Sequence, residues 1–268
     1  MTENTTPSSP AKSSEKPSAK PSKKPWTATV LTLFPDAFPG VLSTSIIGSA
    51  LKDEKWCLES IDIRDFSYNK HRSVDTTVVG GGPGMVLKPD VSAAAIDSVA
   101  RISAENSGET PRPLLYLTPR GTPLTQKRVK ELASGRGVII FCGRFEGLDE
   151  RVIRARNMEE VSLGDFVLAG GEVAAQALIE ACVRLLPGVL GDATSTREES
   201  FEDGLLEYPL YAKPREWEGH KTPDVLLSGD HKAIANWRRT QMEQITKQRR
   251  PDLYARYLRE KNTGSEKE

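Results

Sequence analysis

Apolar positions along this chain switch repeatedly between two spacings. Residues 27–33 (Thr-Ala-Thr-Val-Leu-Thr-Leu) make a short β-rich run that stops at Phe34-Pro35, and residues 56–63 repeat the pattern. Between them Ser45 is placed to cap a helix whose Ile46, Ile47, Ala50 and Leu51 share one face. After Pro89, Asp90 is positioned as the cap of a helix carrying Val91, Ala95, Val99 and Ile102 at helical spacing. Residues 113–119 and 137–143 are apolar runs bounded by Pro or Gly, the signature of strands buried on both faces, with a helix over 125–133 between them. Residues 172–186 are apolar nearly all round until Pro187, which predicts a helix deep in the core. The alternation predicts an α/β domain on a mostly parallel sheet over residues 26–191.

The composition shifts after Gly191. Residues 192–206 begin polar and acidic and read as an interdomain linker, and residues 207–259 read as a small α-helical C-terminal domain. There Ile234, Trp237, Met242 and Ile245 lie along one helical face, with Arg238, Arg239 and Lys247 on the rest. Residues 260–268 are expected to be a disordered tail. So are residues 1–25, where Ser, Pro, Thr and Lys crowd out apolar positions and nothing offsets the entropy of ordering. The prolines there, and the lack of arginine, oppose a transit peptide; weak contact of the lysines with RNA is an open alternative.

Net charge is +0, from 37 Lys and Arg against 37 Asp and Glu, but it is unevenly spread. Lys232, Arg238, Arg239, Lys247, Arg249, Arg250, Arg256 and Arg259 face only Glu243 and Asp252 over residues 231–259. That is either a solvated helical surface or a grip on nucleic-acid phosphates. Cys57, Cys142 and Cys182 sit in apolar runs without metal-ligand spacing. No run approaches the ~18 apolar residues of a membrane span, and the expectation is a soluble, cytoplasmic protein.

Common catalytic signatures are missing. There is no Walker loop, no His-Glu-x-x-His and no Gly-x-Ser-x-Gly, and Gly80-Gly-Gly-Pro-Gly84 runs into Met85 where a dinucleotide fingerprint needs glycine. Three glycine-rich segments stand out instead: 80–84, 143–151 and 162–172, placed by the pattern at the ends of strands. One such loop is more often a tight connection; three, two of them with acids beside arginine, point to a ligand crevice at the carboxyl edge of the sheet.

These segments also carry a resemblance. Leu33-Phe-Pro, Asn69-Lys-His-Arg-Ser-Val-Asp75, Gly80-Gly-Gly-Pro-Gly-Met-Val-Leu-Lys-Pro89, Tyr116-Leu-Thr-Pro119, Cys142-Gly-Arg-Phe-Glu-Gly147, Gly164-Asp-Phe-Val-Leu-Ala-Gly-Gly-Glu172, Pro187-Gly-Val-Leu-Gly191 and Trp237-Arg238 follow in order. Over residues 26–259 the chain resembles the bacterial tRNA (guanine-N1)-methyltransferases of the SPOUT class. The resemblance implies a trefoil knot in the catalytic domain, S-adenosylmethionine bound there in a bent form, and a homodimer with shared active sites. The implied substrate is the guanosine at tRNA position 37, just 3′ of the anticodon, gripped by its anticodon arm. Magnesium is an auxiliary of the family's reaction, and no ligand cluster in this sequence gives it a place.

Residue by residue, the match assigns the donor to Tyr116, Leu117, Thr118 and Pro119, to Gly143, Glu146 and Gly147, to Ser162, Leu163, Gly164, Asp165, Phe166, Val167 and Leu168, and to Gly170 and Gly171. Asp165 serves equally well as a loop-shaping residue. Glu207, where the family has Asp, matches the position that holds the donor's methionine amine. Phe145 and Phe166 stand where the family usually has Tyr. Guanine N1 is a poor nucleophile until its proton leaves, so a carboxylate base is needed, and charge building on O6 calls for a fixed cation. Glu199, standing for the family's Asp before Ser-Phe, is the candidate base, with Glu198 the neighbouring alternative and a solvated linker face the bland one. Arg184 is the candidate cation; read from the residues alone, it is equally a snorkelling arginine at a helix end. His71 and Arg72 are RNA or structural contacts rather than metal ligands. Two rivals remain: a related knotted methyltransferase acting on another RNA base, and a non-enzymatic RNA-binding module.

Overall fold

The structure, a computed structural model, describes residues 25–105, 111–191 and 199–265. Its central sheet takes strands β1 (Trp26–Thr32), β2 (Trp56–Asp62), β5 (Leu114–Pro123), β6 (Gly137–Cys142) and β7 (Glu159–Ser162) in the order β2-β1-β6-β5-β7, every pairing parallel. Two short hairpins stand apart, β3 (Asp75–Thr77) with β4 (Met85–Leu87) and β8 (Glu216–Trp217) with β9 (His220–Lys221). The expected α/β architecture on a parallel sheet is therefore found.

Side chains of a strand alternate between its faces, and β6 shows the consequence. Val138, Ile140 and Cys142 join one hydrophobic cluster, Ile139 and Phe141 the other. The first cluster is closed by α1 (Ser45–Lys52), α3 (Gln126–Ser134) and α5 (Glu172–Val183), the second by α2 (Pro89–Glu105) and α4 (Glu150–Ala155). All of β6 is buried, which is why its sequence is a continuous apolar run. Each fully buried Ile or Phe there contributes about 1.5–3 kcal/mol.

Local signals set most helix ends. Thr125 accepts the backbone N–H of Arg128 and starts α3 as the sequence predicts. Others differ. α1 begins at Ser45 itself, after Thr44, and Ile46 faces outward while Ile47 and Ala50 are buried. Asp90 lies in the first turn of α2, which Pro89 opens, a position where proline's missing N–H does no harm. The side chain of Ile102 lies outside the described residues. α5 ends at Val183 rather than at Leu186, the chain tightening into i→i+3 bonds from Leu185 to Cys182 and Leu186 to Val183.

Beyond the sheet, α6 (His231–Arg249) is capped by Asp230, whose Oδ1 accepts the N–H groups of Lys232 and Ala233, both at 3.0 Å. It packs on α7 (Pro251–Ser265) around Leu205, Met242 and Tyr257. Residues from 260 on, expected to be a tail, are helical as far as Ser265. Arg238 and Arg239, expected on a polar face, are half-buried, with their guanidinium groups over the rings of Tyr208 and Tyr257. The segment 1–24, most of the linker and residues 266–268 lie outside the described residues.

Candidate active site

A cleft of about 400 Å³ opens at the carboxyl ends of β5, β6 and β7. It is lined by residues 116–120, 143–148, 161–164 and 166–171, with Glu150 and Ala174. Every residue assigned to the donor is therefore in its wall except Asp165, which is exposed, and Glu207.

Close backbone contacts build the cleft, and its glycines make them possible. The buried Tyr116 lies beneath the 143–148 loop; its hydroxyl accepts the Leu148 N–H at 3.1 Å. A Cβ at Gly147, where φ is +106°, would stand 2.6 Å from that hydroxyl. Tyr116 is thus a buttress of the loop, and burial raises its phenol pKa. The 162–171 loop is sutured to the same place: the Gly171 N–H donates to the Gly143 carbonyl at 3.1 Å, and a Cβ on Gly171 would sit 2.7 Å from Cys142 Cα. Ser162 shapes its own turn by hydrogen bonds with the backbone of Gly164.

The third glycine segment behaves differently. Residues 80–84 connect the β3–β4 hairpin instead of ending a strand of the main sheet. The hairpin still reaches the cleft: Glu146 N–H donates to the Met85 carbonyl at 2.8 Å and Leu87 N–H to the Gly147 carbonyl at 3.0 Å. Gly84 lies against the Glu146 side chain, where a Cβ would come within 2.5 Å.

One residue that the sequence did not single out fixes this assembly. Arg144 donates to the Ala169 carbonyl at 3.2 Å, pairs with Glu172 at 2.8 Å and lies 4.3 Å over the Phe34 ring. Glu172 is only 4 % exposed and also accepts the Thr32 hydroxyl at 2.7 Å. This network joins β1, both cleft loops and the start of α5. Arg120 is the second missed residue, on the cleft wall with ion pairs to Glu150 and Glu160. Neither was legible because each partner is distant in sequence.

Arg184 and Glu199 are brought together, but not in the wall of this cleft. Arg184 Nη1 donates to Glu199 Oε2 at 2.8 Å, and Nη2 donates to Oε1. Each side chain is about a quarter to a third exposed, at 31 % and 26 %. The hydrogen bonds from Arg184 hold the Glu199 carboxyl below its ordinary value and raise the guanidinium above its own. Lys130 on α3 pairs with Glu202 and ties this turn to the sheet domain's helices. Glu207 follows Leu206, whose N–H donates to Thr246 on α6 at 2.8 Å, and it does not line the cleft of its own chain. Glu198 lies outside the described residues. Arg72 pairs with Asp62 and Asp65, a structural role, while His71 is exposed. Cys142 and Cys182 are buried thiols with raised pKa, Cys182 pushed up to about 12, and neither is poised for chemistry. Among the described residues no helix is long and apolar enough to cross a membrane, and no group of three or more His, Cys, Asp or Glu could hold a metal ion.

The family model described as tRNA (guanine-1)-methyltransferase TrmD matches residues 27–256. The chain belongs to this family. Among its curated relatives, the tRNA (guanine-N(1)-)-methyltransferase of Rhodopseudomonas palustris (strain BisB18) is 60 % identical over 230 residues, 86 % of this chain and 89 % of the relative. The enzyme of the same name from Nitrobacter winogradskyi is 58 % identical over 86 % of this chain and 93 % of its own length. That of Jannaschia sp. (strain CCS1) is 53 % identical over 88 % and 95 %. The chain is thus a tRNA (guanine-N1)-methyltransferase, and its cleft sits where the family's motifs converge.

Proposed function

We propose that the cleft is the S-adenosylmethionine site and that the enzyme methylates N1 of the guanosine at tRNA position 37, just 3′ of the anticodon. The observation that carries this reading is the convergence of three motifs, far apart in sequence, on one cleft in a chain of this family. Apolar Leu117, Leu163 and Ala174 beside the backbone of Gly143 and Gly170 suit an adenine; Glu146 suits the donor's ammonium group.

Bound there, the donor supplies an electrophilic methyl carbon. The protein's residues do the rest. Glu199 takes the N1 proton, the freed lone pair forms the N–C bond, and S-adenosylhomocysteine departs with the electrons of the broken S–C bond. Negative charge delocalises onto O6, where Arg184 stabilises it. Guanine presents N1–H and O6 side by side, and Arg184 and Glu199 present a donor and an acceptor side by side. The base can therefore exchange the pair's mutual hydrogen bonds for one to each residue.

Because this pair does not line the cleft of its own chain, we place it over the cleft of a second protomer, in a homodimer with shared sites. Glu207 then reaches the donor's amine from the same direction. Exposed Phe166, Val167 and Val173 at the cleft rim are the apolar surface that such a dimer would cover. Residues 26–191 form the donor-binding domain with the class's knot, 192–206 the linker, and 207–259 the domain that grips the anticodon arm. The enzyme works in the cytoplasm, where its substrate is. Among the described residues no cluster of His, Cys, Asp or Glu would hold magnesium.

The test is methylation of an unmodified tRNA transcript with a labelled methyl donor, followed by mapping of the product. Label on N1 of guanosine 37, lost when that base is replaced by adenosine, is the expected result. Label on another base would favour the related methyltransferase, and no label with tRNA still bound the non-enzymatic module.

A further inference from the structure

β5 and β7 pair twice. Leu117 and Thr122 both stand opposite Val161, so Thr118, Pro119, Arg120 and Gly121 are extruded between them as a bulge. Gly121 allows this, because a Cβ there would collide with the backbone of Val161. Bulges of this kind re-aim side chains next to sites, and this one puts Arg120 on the cleft wall.

Two arginines line the cleft, and they differ in how they are held. Arg144 is committed, paired with the buried Glu172 and bonded to the Ala169 carbonyl. Arg120 is 64 % exposed and touches Glu150 and Glu160 at 3.3 and 3.2 Å, long contacts at a solvent-screened position. It can change partner at little loss. The amino-acid end of the donor carries a carboxylate beside its ammonium, and the sulfonium adds a second positive centre. Glu146 on the cleft wall suits the ammonium, which leaves the carboxylate to a guanidinium. A planar fork binds a carboxylate through two hydrogen bonds.

We propose that Arg120 binds the carboxylate of the donor's amino-acid end, leaving Glu150 and Glu160 to do so; this rests on the cleft being the donor site. It makes Arg120 a determinant of donor specificity, because nucleosides without that carboxylate lose the contact.

Calorimetric titration of the full-length protein tests it, with S-adenosylmethionine and its decarboxylated analogue as the two ligands. The wild type should prefer the carboxylate form by about 10- to 100-fold, the span of a charge-assisted hydrogen-bonded pair. Arg120→Gln should lose that factor for S-adenosylmethionine and bind the decarboxylated analogue as the wild type does, which also shows that the cleft is intact. A wild type indifferent to the carboxylate, or an Arg120→Gln variant that keeps the preference or weakens both ligands equally, overturns the assignment. A wild type that binds neither ligand removes the donor-site reading itself, and this assignment with it.

Discussion

Arg184 and Glu199 form a two-pronged ion pair between the end of α5 and a turn within the linker, so the candidate base is held by the candidate cation. The pairing keeps Glu199 ionised at neutral pH but lowers its basicity until guanine separates the two. Glu199→Gln preserves shape and removes the proton acceptor. Turnover should fall by about 10²–10⁴-fold, with donor affinity by calorimetry unchanged. The partly exposed pair contributes about 1 kcal/mol or less to stability, so thermal unfolding should barely move. Full turnover in this variant places the base elsewhere.

The same pairing fixes a pH signature. A carboxyl lowered from 4.5 keeps its charge until the pH falls through the lowered value. Its share of stability is therefore complete above 4.5 and lost only below. The acid limb of kcat/KM, which reports groups of the free enzyme, should lie below 4.5 in the wild type. In Arg184→Ala the limb should move up toward 4.5 while kcat drops. An acid limb in the same place in both proteins would show that Arg184 does not set the charge of the base.

Arg144 and Glu172 make a different kind of pair, from the cleft wall to a buried carboxylate at the start of α5. Removing the arginine leaves a carboxylate that is 4 % exposed with, among the described residues, the Thr32 hydroxyl as its remaining hydrogen-bond donor. Arg144→Gln should destabilise the protein by about 3–5 kcal/mol. Adding Glu172→Gln should recover part of that, because the uncompensated charge is gone. Urea unfolding of the two single variants and the double variant measures the coupling. Strictly additive losses would mean that the two side chains act independently.

How far the sequence speaks depends on where a residue's partners lie. β6 was legible because six consecutive residues are buried on both faces, and so short an apolar run bounded by glycine fits a buried strand far better than a helix. The cleft loops were legible because glycine marks backbone that must pass close to something else. The continuation of β5 to Pro123 was not: Pro119 looks like a stop, and it is tolerated because the bulge takes it out of the ladder. Arg144 looked like one more loop arginine, since Glu172 and Phe34 are remote in sequence. Glu207 matched the family's donor contact, yet a match says nothing about which copy of the chain supplies it.

Lys247 and Arg249 are exposed in the last turn of α6, where they either complement the helix dipole or meet phosphate. If they meet phosphate, neutralising each should flatten the plot of log affinity for tRNA against log salt by about 0.7–0.9 units. The double substitution Lys247→Gln and Arg249→Gln, followed by filter binding across a salt series, reads this directly. Weaker binding with an unaltered slope would leave these residues to the helix alone.

A shared site makes a sharper demand. If the site is shared as proposed, Arg184 and Glu199, paired within one chain, act as a unit and the partner's cleft supplies the other half. Gly147→Val should close the cleft, because its side chain would press on the Tyr116 hydroxyl from a backbone with φ of +106°. Glu199→Gln should disable the pair. Each homodimer is then inactive. In a heterodimer of the two, the intact pair of one protomer faces the intact cleft of the other, and one working site of two returns. Mixing Glu199→Ala with Arg184→Ala subunits should restore nothing, because no protomer then carries a whole pair. Co-expression with two affinity tags isolates the heterodimers, and methylation per dimer separates the cases. Recovery in the second mixture but not the first would show that base and cation come from different protomers, and recovery in neither that each chain works alone.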